Sequence, residues 1–364
     1  MVGAGNAPQD VRFCRASDGV RIAYAVHGSG PPLLITTCWL SHLQHDWQSP
    51  VWHHFLRDIG RFATVIRYDE RGHGLSDRDV EDHSLEARVG DMTAVADHAG
   101  FDRFAVMAMS QGGPVAIRYA VEHLDRVTRM IFYGSYACAM SDPTPEDLAM
   151  NDAINQIIKV GWERPTPEFR RVFTTLMIPG ATEEQMSWLD ELQRVSVTGE
   201  TAYAARTQRV LADATAALAH VSIPALVVHS VEDRMNHFEH ARRLATLLPD
   251  ARLVPLQSSN HIVLEDEPAW PVLVDEVARF MAADGSPSAS ALLDEVLSPR
   301  ELEVLRLAAD GLDNEAIAGA LTLSVRTVER HLQNVYGKLD LTGRNARTAA
   351  VARLHAAEVV RTHA

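Results

Sequence analysis

The residues best suited to chemistry are a serine, an aspartate and a histidine that follow separate apolar runs. The run at 104–109 leads directly into Ser110, with Ala108 two positions before this serine and Gly112 two positions after it. Small residues are needed there because a sharp strand-to-helix turn, which exposes a nucleophilic hydroxyl, brings the two elements too close for larger side chains. The pattern therefore predicts a nucleophilic serine at such a turn.

A serine hydroxyl is a weak nucleophile, so this prediction requires a histidine base and a carboxylate that orients it. Asp233 comes shortly after the apolar run 225–229, and His261 follows the run 252–256, in the chain order that a serine on this kind of turn requires. We expect Ser110, Asp233 and His261 to form a catalytic triad. Glu232 is the alternative acid, the other histidines are alternative bases, and His73 is expected to be structural.

Acyl transfer also needs two amide donors for the oxyanion that forms on the substrate. The backbone amide of Gln111, directly after the serine, is expected to be one donor. The second is expected after the run 33–37, and we assign it to the backbone amide of Trp39.

Six short apolar runs alternate with helical stretches, at residues 33–37, 63–67, 104–109, 129–133, 225–229 and 252–256. Such runs, buried on both faces and separated by helices, are typical of a mostly parallel sheet, so the predicted class is α/β. A long, mainly helical insertion lies between Tyr136 and His220. Its aromatic residues and methionines suit a small, largely apolar ligand, with packing inside the insertion as the alternative. The candidate pocket residues are Trp162, Phe169, Phe173 and Trp188.

With these signals in order, residues 10–282 resemble the α/β-hydrolase fold. The run DERGHGLS at 69–76 is similar to the D-x-R-G-x-G-x-S loop of that family. The resemblance implies a ligand-binding or catalytic domain over 10–282, with residues of about 137–220 as a lid. The serine argues against epoxide hydrolase or dehalogenase chemistry, which uses an aspartate in this fold.

The chain departs from the family pattern in two places, at Ala108 and at residues 37–39. Ala108 replaces the usual first glycine of the serine turn, a change that the geometry accepts. Thr37, Cys38 and Trp39 stand where active relatives usually carry His-Gly. Losing one oxyanion donor typically costs about two to three orders of magnitude in rate, so the departure favours slow turnover.

The last seventy residues carry the start and stop signals of short helices. Ser298 and Glu301 form a capping box, and Gly311 stands where a left-handed residue would end the first helix. Asn314 and Ser324 are suited to cap a second and a third helix. Helix, turn and helix is the arrangement that places a recognition helix in a DNA major groove.

The third helix is predicted to have two different faces. Apolar residues recur at steps of three and four, namely Val325, Val328, Leu332, Val335, Tyr336 and Leu339. The other side is polar and basic, which suits contact with base edges and phosphates. The candidate DNA-binding residues are Arg326, Thr327, Arg330, His331, Asn334 and Lys338. A helical bundle that serves only dimerisation is the alternative for this surface.

Residues 297–354 resemble the LuxR-type helix-turn-helix, whose recognition helix carries a T-V-x-x-H run, here at 327–331. The resemblance implies a small all-α DNA-binding domain over 295–364, promoter DNA as the partner, and a homodimer through the last helix, near 345–354. The family often has Asn-Lys-Glu on its second helix. This chain has Glu315 there, which places an anion where a lysine would bind phosphate.

Charge separates the two parts of the chain. Residues 295–364 hold nine Lys and Arg and nine Asp and Glu, so the whole formal charge of −14 belongs to residues 1–294. A negative field repels a phosphate backbone, so we expect DNA contact from the C-terminal domain, strengthened by dimerisation. Residues 283–294 begin with a stretch rich in Ser, Gly and Pro, which predicts a linker.

The three cysteines, Cys14, Cys38 and Cys138, have neither metal-binding spacing nor an even disulfide framework, which favours the cytoplasm. No signal peptide, membrane span, metal or cofactor is expected. We predict a DNA-binding transcriptional regulator whose hydrolase-fold domain senses, and slowly hydrolyses, a small, largely apolar ester or acyl ligand. The alternative is an active serine esterase whose C-terminal domain serves localisation or dimerisation.

Overall fold

A computed structural model describes most of the chain: residues 9–36, 38, 40–141, 143–282, 297–309 and 311–339, together with 346, 347, 350, 351 and 354. Trp39 and the linker predicted at 283–294 lie outside the described residues. The chain divides into two compact units, a larger one of Met1–Leu218 and Ile223–Ala282 and a smaller one of Ala219–Ser222 and Ala283–Ala364.

The larger unit is built on one eight-stranded sheet with the strand order β1-β2-β4-β3-β5-β6-β7-β8. Strands β3 to β8 run parallel, whereas β1 pairs antiparallel with β2, and β2 with β4. The strands are β1 Asp10–Arg15, β2 Arg21–Gly28, β3 Pro32–Thr36, β4 Thr64–Tyr68, β5 Phe104–Met109, β6 Val127–Tyr133, β7 Ala225–Ser230 and β8 Ala251–Leu256. The six predicted runs correspond to β3–β8, which confirms the mostly parallel sheet.

Ten helices in the described part of the larger unit accompany this sheet. Consecutive strand residues such as Leu33 and Leu34 are both fully buried, so both faces of the sheet are covered. The helices are α1 Leu43–Trp47, α2 His53–Ile59, α3 Leu85–Ala99, α4 Gly113–Glu122, α5 Pro145–Gly161, α6 Glu168–Met177, α7 Glu183–Ser196, α8 Gly199–Val210, α9 Glu239–Leu247 and α10 Ala269–Ala282. Helices α5–α8 form the predicted insertion between β6 and β7, here called the lid.

Among its described residues, the smaller unit includes three helices with bounds close to the predicted ones: α11 Pro299–Ala309, α12 Asn314–Leu321 and α13 Val325–Lys338. The capping box is present, because the Glu301 amide donates to Ser298 Oγ at 3.3 Å and the Ser298 amide donates to Glu301 Oε2 at 2.8 Å. Gly311 has φ +85° after α11, and Ser324 caps α13.

Two details of this unit differ from the prediction. Asp313, not Asn314, caps α12, since Asp313 Oδ1 accepts from the Ala316 amide at 2.8 Å. Val325 is 38% exposed at the first position of α13, so the buried face begins at Val328. No helix in the described parts of either unit is long and apolar enough to cross a membrane.

Candidate active site and recognition helix

Ser110 lies at the sharp turn between β5 and α4. Its φ of +48° is in the left-handed region, which costs a residue with a side chain of order 1–3 kcal/mol. A Cβ on Gly113 would overlap the carbonyl oxygen of Tyr136, so the close approach of this turn to the segment after β6 requires glycine. The Ser135 hydroxyl donates to the Ser110 carbonyl at 2.6 Å and helps to hold the strained turn. The predicted strand–turn–helix is therefore present, and Gly113 constrains it in addition to Ala108 and Gly112.

His261 and Asp233 form a short, buried hydrogen bond. His261 Nδ1 lies 2.7 Å from Asp233 Oδ2, and both residues are less than 5% exposed. Asp233 Oδ1 accepts from the amides of Met235 at 2.8 Å and Asn236 at 3.0 Å, which fixes the carboxylate. Glu232, the alternative acid, is exposed. The acid and base predicted from the sequence are thus brought together.

Gly134 makes room for the imidazole of His261. Its φ is +56°, and a Cβ at this position would lie 2.9 Å from His261 Cε1. This glycine follows β6 directly. The end of β6 therefore supplies the space in which the base sits, a role that had not been assigned from the sequence.

Charge pairing sets the protonation of this site. Burial lowers the pKa of His261, but the Asp233 carboxylate and its hydrogen bond outweigh this effect and raise the pKa to about 10. Burial alone would raise the pKa of Asp233, yet His261 and the hydrogen bonds to the carboxylate hold it well below its usual range. Both shifts favour the state in which a protonated His261 faces an ionised Asp233.

Ser110 and His261 are not hydrogen-bonded to each other in the described part of the chain. Within the described residues, Ser110 Oγ accepts a hydrogen bond from Asn236 Nδ2 at 3.3 Å and none joins it to His261. Asn236 Nδ2 also donates to the Gly134 carbonyl at 2.7 Å, and the Cys38 side chain interacts with the His261 ring. Catalytic hydrogen bonds are often loose without substrate and tighten only in the complex. Asn236 and Cys38 were not predicted as site residues, because nothing in the sequence relates either of them to Ser110.

The predicted oxyanion donors are only partly described. Gln111 is buried and lines the cavity described below, and its side-chain Nε2 donates to the Cys38 carbonyl at 3.0 Å. This bond ties the serine turn to the loop after β3. Trp39 lies outside the described residues, so its role stays a prediction.

Ser110 lines a cavity of about 660 Å³, within the size range of small-molecule sites. Helices α5, α6 and α8 of the lid and the loop after β7 supply much of its wall. Apolar residues include Met150, Ile154, Phe173, Leu176 and Met235, and charged or titratable residues include Arg206, Arg209, Arg234 and His240. The wall therefore contains charged residues in addition to the apolar ones that the composition of the lid predicts.

Three of the four predicted pocket residues do not line this cavity. Phe173 does. Trp162 is 2% exposed within the apolar core of the lid. Phe169 lies under an arginine guanidinium at 5.2 Å from its ring centroid, and Trp188 stacks on His45 with centroids 4.5 Å apart. The rings of Trp162, Phe169 and Trp188 pack within the lid and against α1 instead.

A buried charge cluster joins the lid to the body of the larger unit. Glu70, in the loop after β4, accepts from Arg88 of α3 at 2.8 Å and from Arg209 of α8, and all three residues are less than 5% exposed. Burial raises the pKa of Glu70, but the two guanidinium groups hold it well below its usual range. His73 is buried and bonds the carbonyl of its own loop at 2.8 Å, in keeping with a structural role. Glu70 occupies a variable position of the DERGHGLS run, so the motif gave no reason to single it out.

The six candidate DNA-binding residues share one side of α13. At about 100° per residue they span an arc of roughly 140°, which faces away from the buried Val328, Leu332 and Val335. Arg326, Arg330 and Asn334 are exposed, whereas Thr327 and His331 are partly buried. Thr327 Oγ1 also lies 2.8 Å from Ser324 Oγ in the helix cap.

Lys338 of the polar arc forms an ion pair within the smaller unit. Lys338 Nζ lies 2.7 Å from Glu301 Oε2, so it pairs with the capping box of α11 in this structure. The predicted dimer surface near 345–354 is described at only five positions. Ala350 and Leu354 are buried in the core of the smaller unit, so only the remaining faces of this segment are left for a dimer.

Residues 25–272 match the family model of the alpha/beta hydrolase family, and residues 295–351 match that of the bacterial regulatory proteins of the luxR family. Among curated proteins, a non-heme haloperoxidase from Rhodococcus erythropolis is 27% identical and covers 68% of this chain and 92% of its own length. A pimeloyl-[acyl-carrier protein] methyl ester esterase from Nitrosomonas europaea is 28% identical over 64% of this chain and 90% of its own length. A haloalkane dehalogenase 2 from Mycobacterium tuberculosis is also 28% identical, with coverages of 72% and 92%.

Solved structures agree with the fold of the larger unit. An esterase from Exiguobacterium antarcticum has a TM-score of 0.64 at 18% identity and covers 74% of this chain and 99% of its own. A bromoperoxidase from Bacillus anthracis has a TM-score of 0.64 at 17% identity, with coverages of 76% and 100%. At these identities the likeness shows the fold alone.

Proposed function

Since the chain belongs to the α/β hydrolase family and carries a luxR-family DNA-binding domain, we propose that it is a transcriptional regulator controlled by a small ligand. One observation carries the proposal: Ser110 and the adjoining Gln111 and Asn236 line a cavity of small-molecule size in a chain that also holds an exposed, basic recognition helix. In this proposal the cavity binds the ligand and α13 binds the DNA. The ligand would be an ester or acyl compound, because the predicted nucleophile Ser110 and the predicted oxyanion donor Gln111 both line the cavity.

Regulation requires that the ligand bind better to one arrangement of the protein than to another. Coupling is reciprocal, so a ligand that strengthens DNA binding is itself bound more tightly when DNA is present. We propose that a homodimer is the DNA-binding form, because two recognition helices double the phosphate contacts that a formally neutral domain can make.

We further propose that the site hydrolyses its ligand slowly. Ser110 Oγ would attack the ester carbonyl while His261 takes the hydroxyl proton, and the alcohol would leave with that proton from His261, so that an acyl-serine remains for water to cleave. Two features support slow turnover. The raised pKa of His261 favours its protonated form, which cannot act as a base, and Ser110 Oγ is bonded to Asn236 instead of His261.

A second candidate function is an active esterase whose C-terminal domain serves localisation or dimerisation. The 2.7 Å bond between His261 and Asp233 and the left-handed backbone of Ser110 favour it, because a binding site needs neither. The two functions differ in what a ligand does to DNA binding.

The deciding experiment measures binding of the full-length protein to a genomic fragment next to its own gene, with and without short-chain esters and their acids. A regulator changes its apparent DNA affinity when the cavity is filled. An affinity that no cavity ligand alters, combined with rapid ester turnover, would leave the esterase as the remaining function.

We expect Arg330→Ala to weaken binding to that fragment by about tenfold or more, because a base or phosphate contact from arginine contributes roughly 1–3 kcal/mol. Arg330 is exposed near the middle of the polar arc of α13. Fluorescence anisotropy with labelled DNA measures the loss, and ester hydrolysis should stay unchanged. Glu329→Gln, an exposed neighbour outside the arc, is the matched control. Equal DNA affinity for Arg330→Ala and the wild type would contradict the assignment.

The raised pKa of His261 leads to a pH prediction. We expect the rate of ester hydrolysis to rise with pH up to about 10, because only neutral His261 accepts the Ser110 proton. Below that value the rate should rise roughly tenfold per pH unit, as for a single titrating base. Subtracting the rate of a Ser110→Ala protein corrects for hydroxide-driven hydrolysis. A rate that reaches its plateau near pH 7 would contradict this prediction.

The same pair contributes to stability, and the sign follows from the direction of the shift. The folded pKa of His261 lies above its ordinary value of 6.5, so the contribution is complete below about pH 6.5 and is lost as the pH rises towards 10. The rate of ester hydrolysis and the free energy of unfolding should therefore both be measured between about pH 6.5 and pH 10.

A further inference from the structure

Arg206 of α8 presents a positive charge to the cavity without a carboxylate partner. It lines the cavity and is only partly exposed. Its Nη1 donates to Asn151 Oδ1 at 2.8 Å and Asn155 Oδ1 at 2.6 Å, two neutral amides of α5. Within the described residues no Asp or Glu lies within ion-pair distance of Arg206. The structure thus holds this guanidinium in place and leaves its charge unneutralised.

Two other arginines of the lid have carboxylate partners. Arg209, one turn further along α8, pairs with Glu70, and Arg171 pairs with Asp190 and Glu183. A charge removed from water is costly unless it is paired, and burial lowers the pKa of Arg206 accordingly. Because a guanidinium has five N–H donors and both hydrogen bonds use Nη1, donors on Nη2 and Nε stay available to a ligand.

The other charged residues that line the cavity in the described part of the chain form no ion pair with Arg206. Asp147 and Glu239 also line it, but both are exposed, and Asp147 accepts from Thr144 in the capping box of α5. Arg234 and His237 also line the cavity, but both are exposed to solvent. Burial lowers the pKa of His240 to about 4. The partly buried wall at Arg206 is therefore the place in the cavity where an anionic group gains most.

We propose that the ligand carries a carboxylate that binds Arg206, with its hydrocarbon part along the apolar wall formed by Met150, Ile154 and Phe173. This inference rests on the proposed function and narrows it. The ligand class becomes an amphipathic carboxylic acid, or a half-ester of a dicarboxylic acid whose ester group reaches Ser110. Arginine suits this role because its planar donor fork matches the two oxygens of a carboxylate.

The test compares straight-chain carboxylates of about four to twelve carbons with primary amides of the same length. Calorimetry measures their binding to the full-length protein without DNA. We expect the carboxylate of the best length to bind at least tenfold more tightly than its amide. Arg206→Gln should abolish this preference, and Arg206→Lys should retain part of it, because lysine keeps the charge and loses the fork. Arg194→Gln, an exposed lid arginine paired with Glu191, is the control and should keep the full preference.

The wild-type comparison of acid and amide does not depend on whether any variant folds. Equal affinity at every chain length, or a carboxylate preference that survives in Arg206→Gln, overturns the proposal. The DNA-binding experiment tests the regulatory function separately from the carboxylate preference. A carboxylate preference without any effect on DNA affinity would remove the regulatory function alone, whereas a DNA response to neutral esters only would remove the carboxylate alone.

Discussion

Replacing Ser110 with alanine is expected to abolish ester hydrolysis by this protein. The loss should reach about three orders of magnitude or the background rate, because removing the nucleophile of a triad eliminates covalent catalysis and leaves only the weak contribution of binding and the oxyanion hole. Release of 4-nitrophenol from short-chain 4-nitrophenyl esters measures the rate. Ser187→Ala, an exposed serine of α7, is the control.

Activity of Ser110→Ala above about a tenth of the wild-type rate would contradict the role of this serine. The same variant separates two ways of sensing. If its DNA affinity still responds to ligand, occupancy of the cavity is the signal. If the response disappears while the ligand still binds, cleavage is the signal.

Replacing Glu70 with glutamine should destabilise the larger unit by about 3–5 kcal/mol, because breaking a buried ion pair by removing one partner leaves an uncompensated charge. Here a single carboxylate serves two buried guanidinium groups, on Arg88 and Arg209. All six tryptophans lie before residue 283, so tryptophan fluorescence during urea unfolding reports on this unit alone. Glu191→Gln, which removes an exposed ion pair of the lid, is the matched control and should unfold like the wild type.

A change of less than 1 kcal/mol in Glu70→Gln would show that the cluster is not an anchor for α8. The pH dependence gives an independent check. Because the folded pKa of Glu70 lies below its ordinary value of 4.5, its contribution is present above that pH and is lost as the pH falls further.

The parallel strands and the triad could be predicted because their signals are local. Strands buried on both faces need continuous apolar runs, and Ser110 needs small neighbours whatever the rest of the chain does. The hairpin of β1 and β2 was not predicted. Most of β1 is exposed at the edge of the sheet, and the buried run in β2 contains Ala23 and Ala25, which give a weak hydrophobic signal.

The residues that were missed depend on contacts between distant segments. Asn236 meets Ser110 across 126 positions of sequence, and Arg209 meets Glu70 across 139. Composition alone could not show which lid aromatics face the cavity, because a ring that packs two small helices together looks the same in the sequence as one that contacts a ligand. In the smaller unit, the cap of α12 was misplaced by one residue because Asp313 and Asn314 are both good capping residues.

The left-handed backbone of Ser110 constrains how this protein can diverge. Alanine at this position would keep the full cost of φ +48° and lose only the hydroxyl, so the simplest inactivating substitution brings no gain in stability. A lineage that comes to use the domain purely as a receptor therefore has little thermodynamic reason to discard its nucleophile. Retention of the serine is therefore expected whether the domain serves as a receptor or as an enzyme.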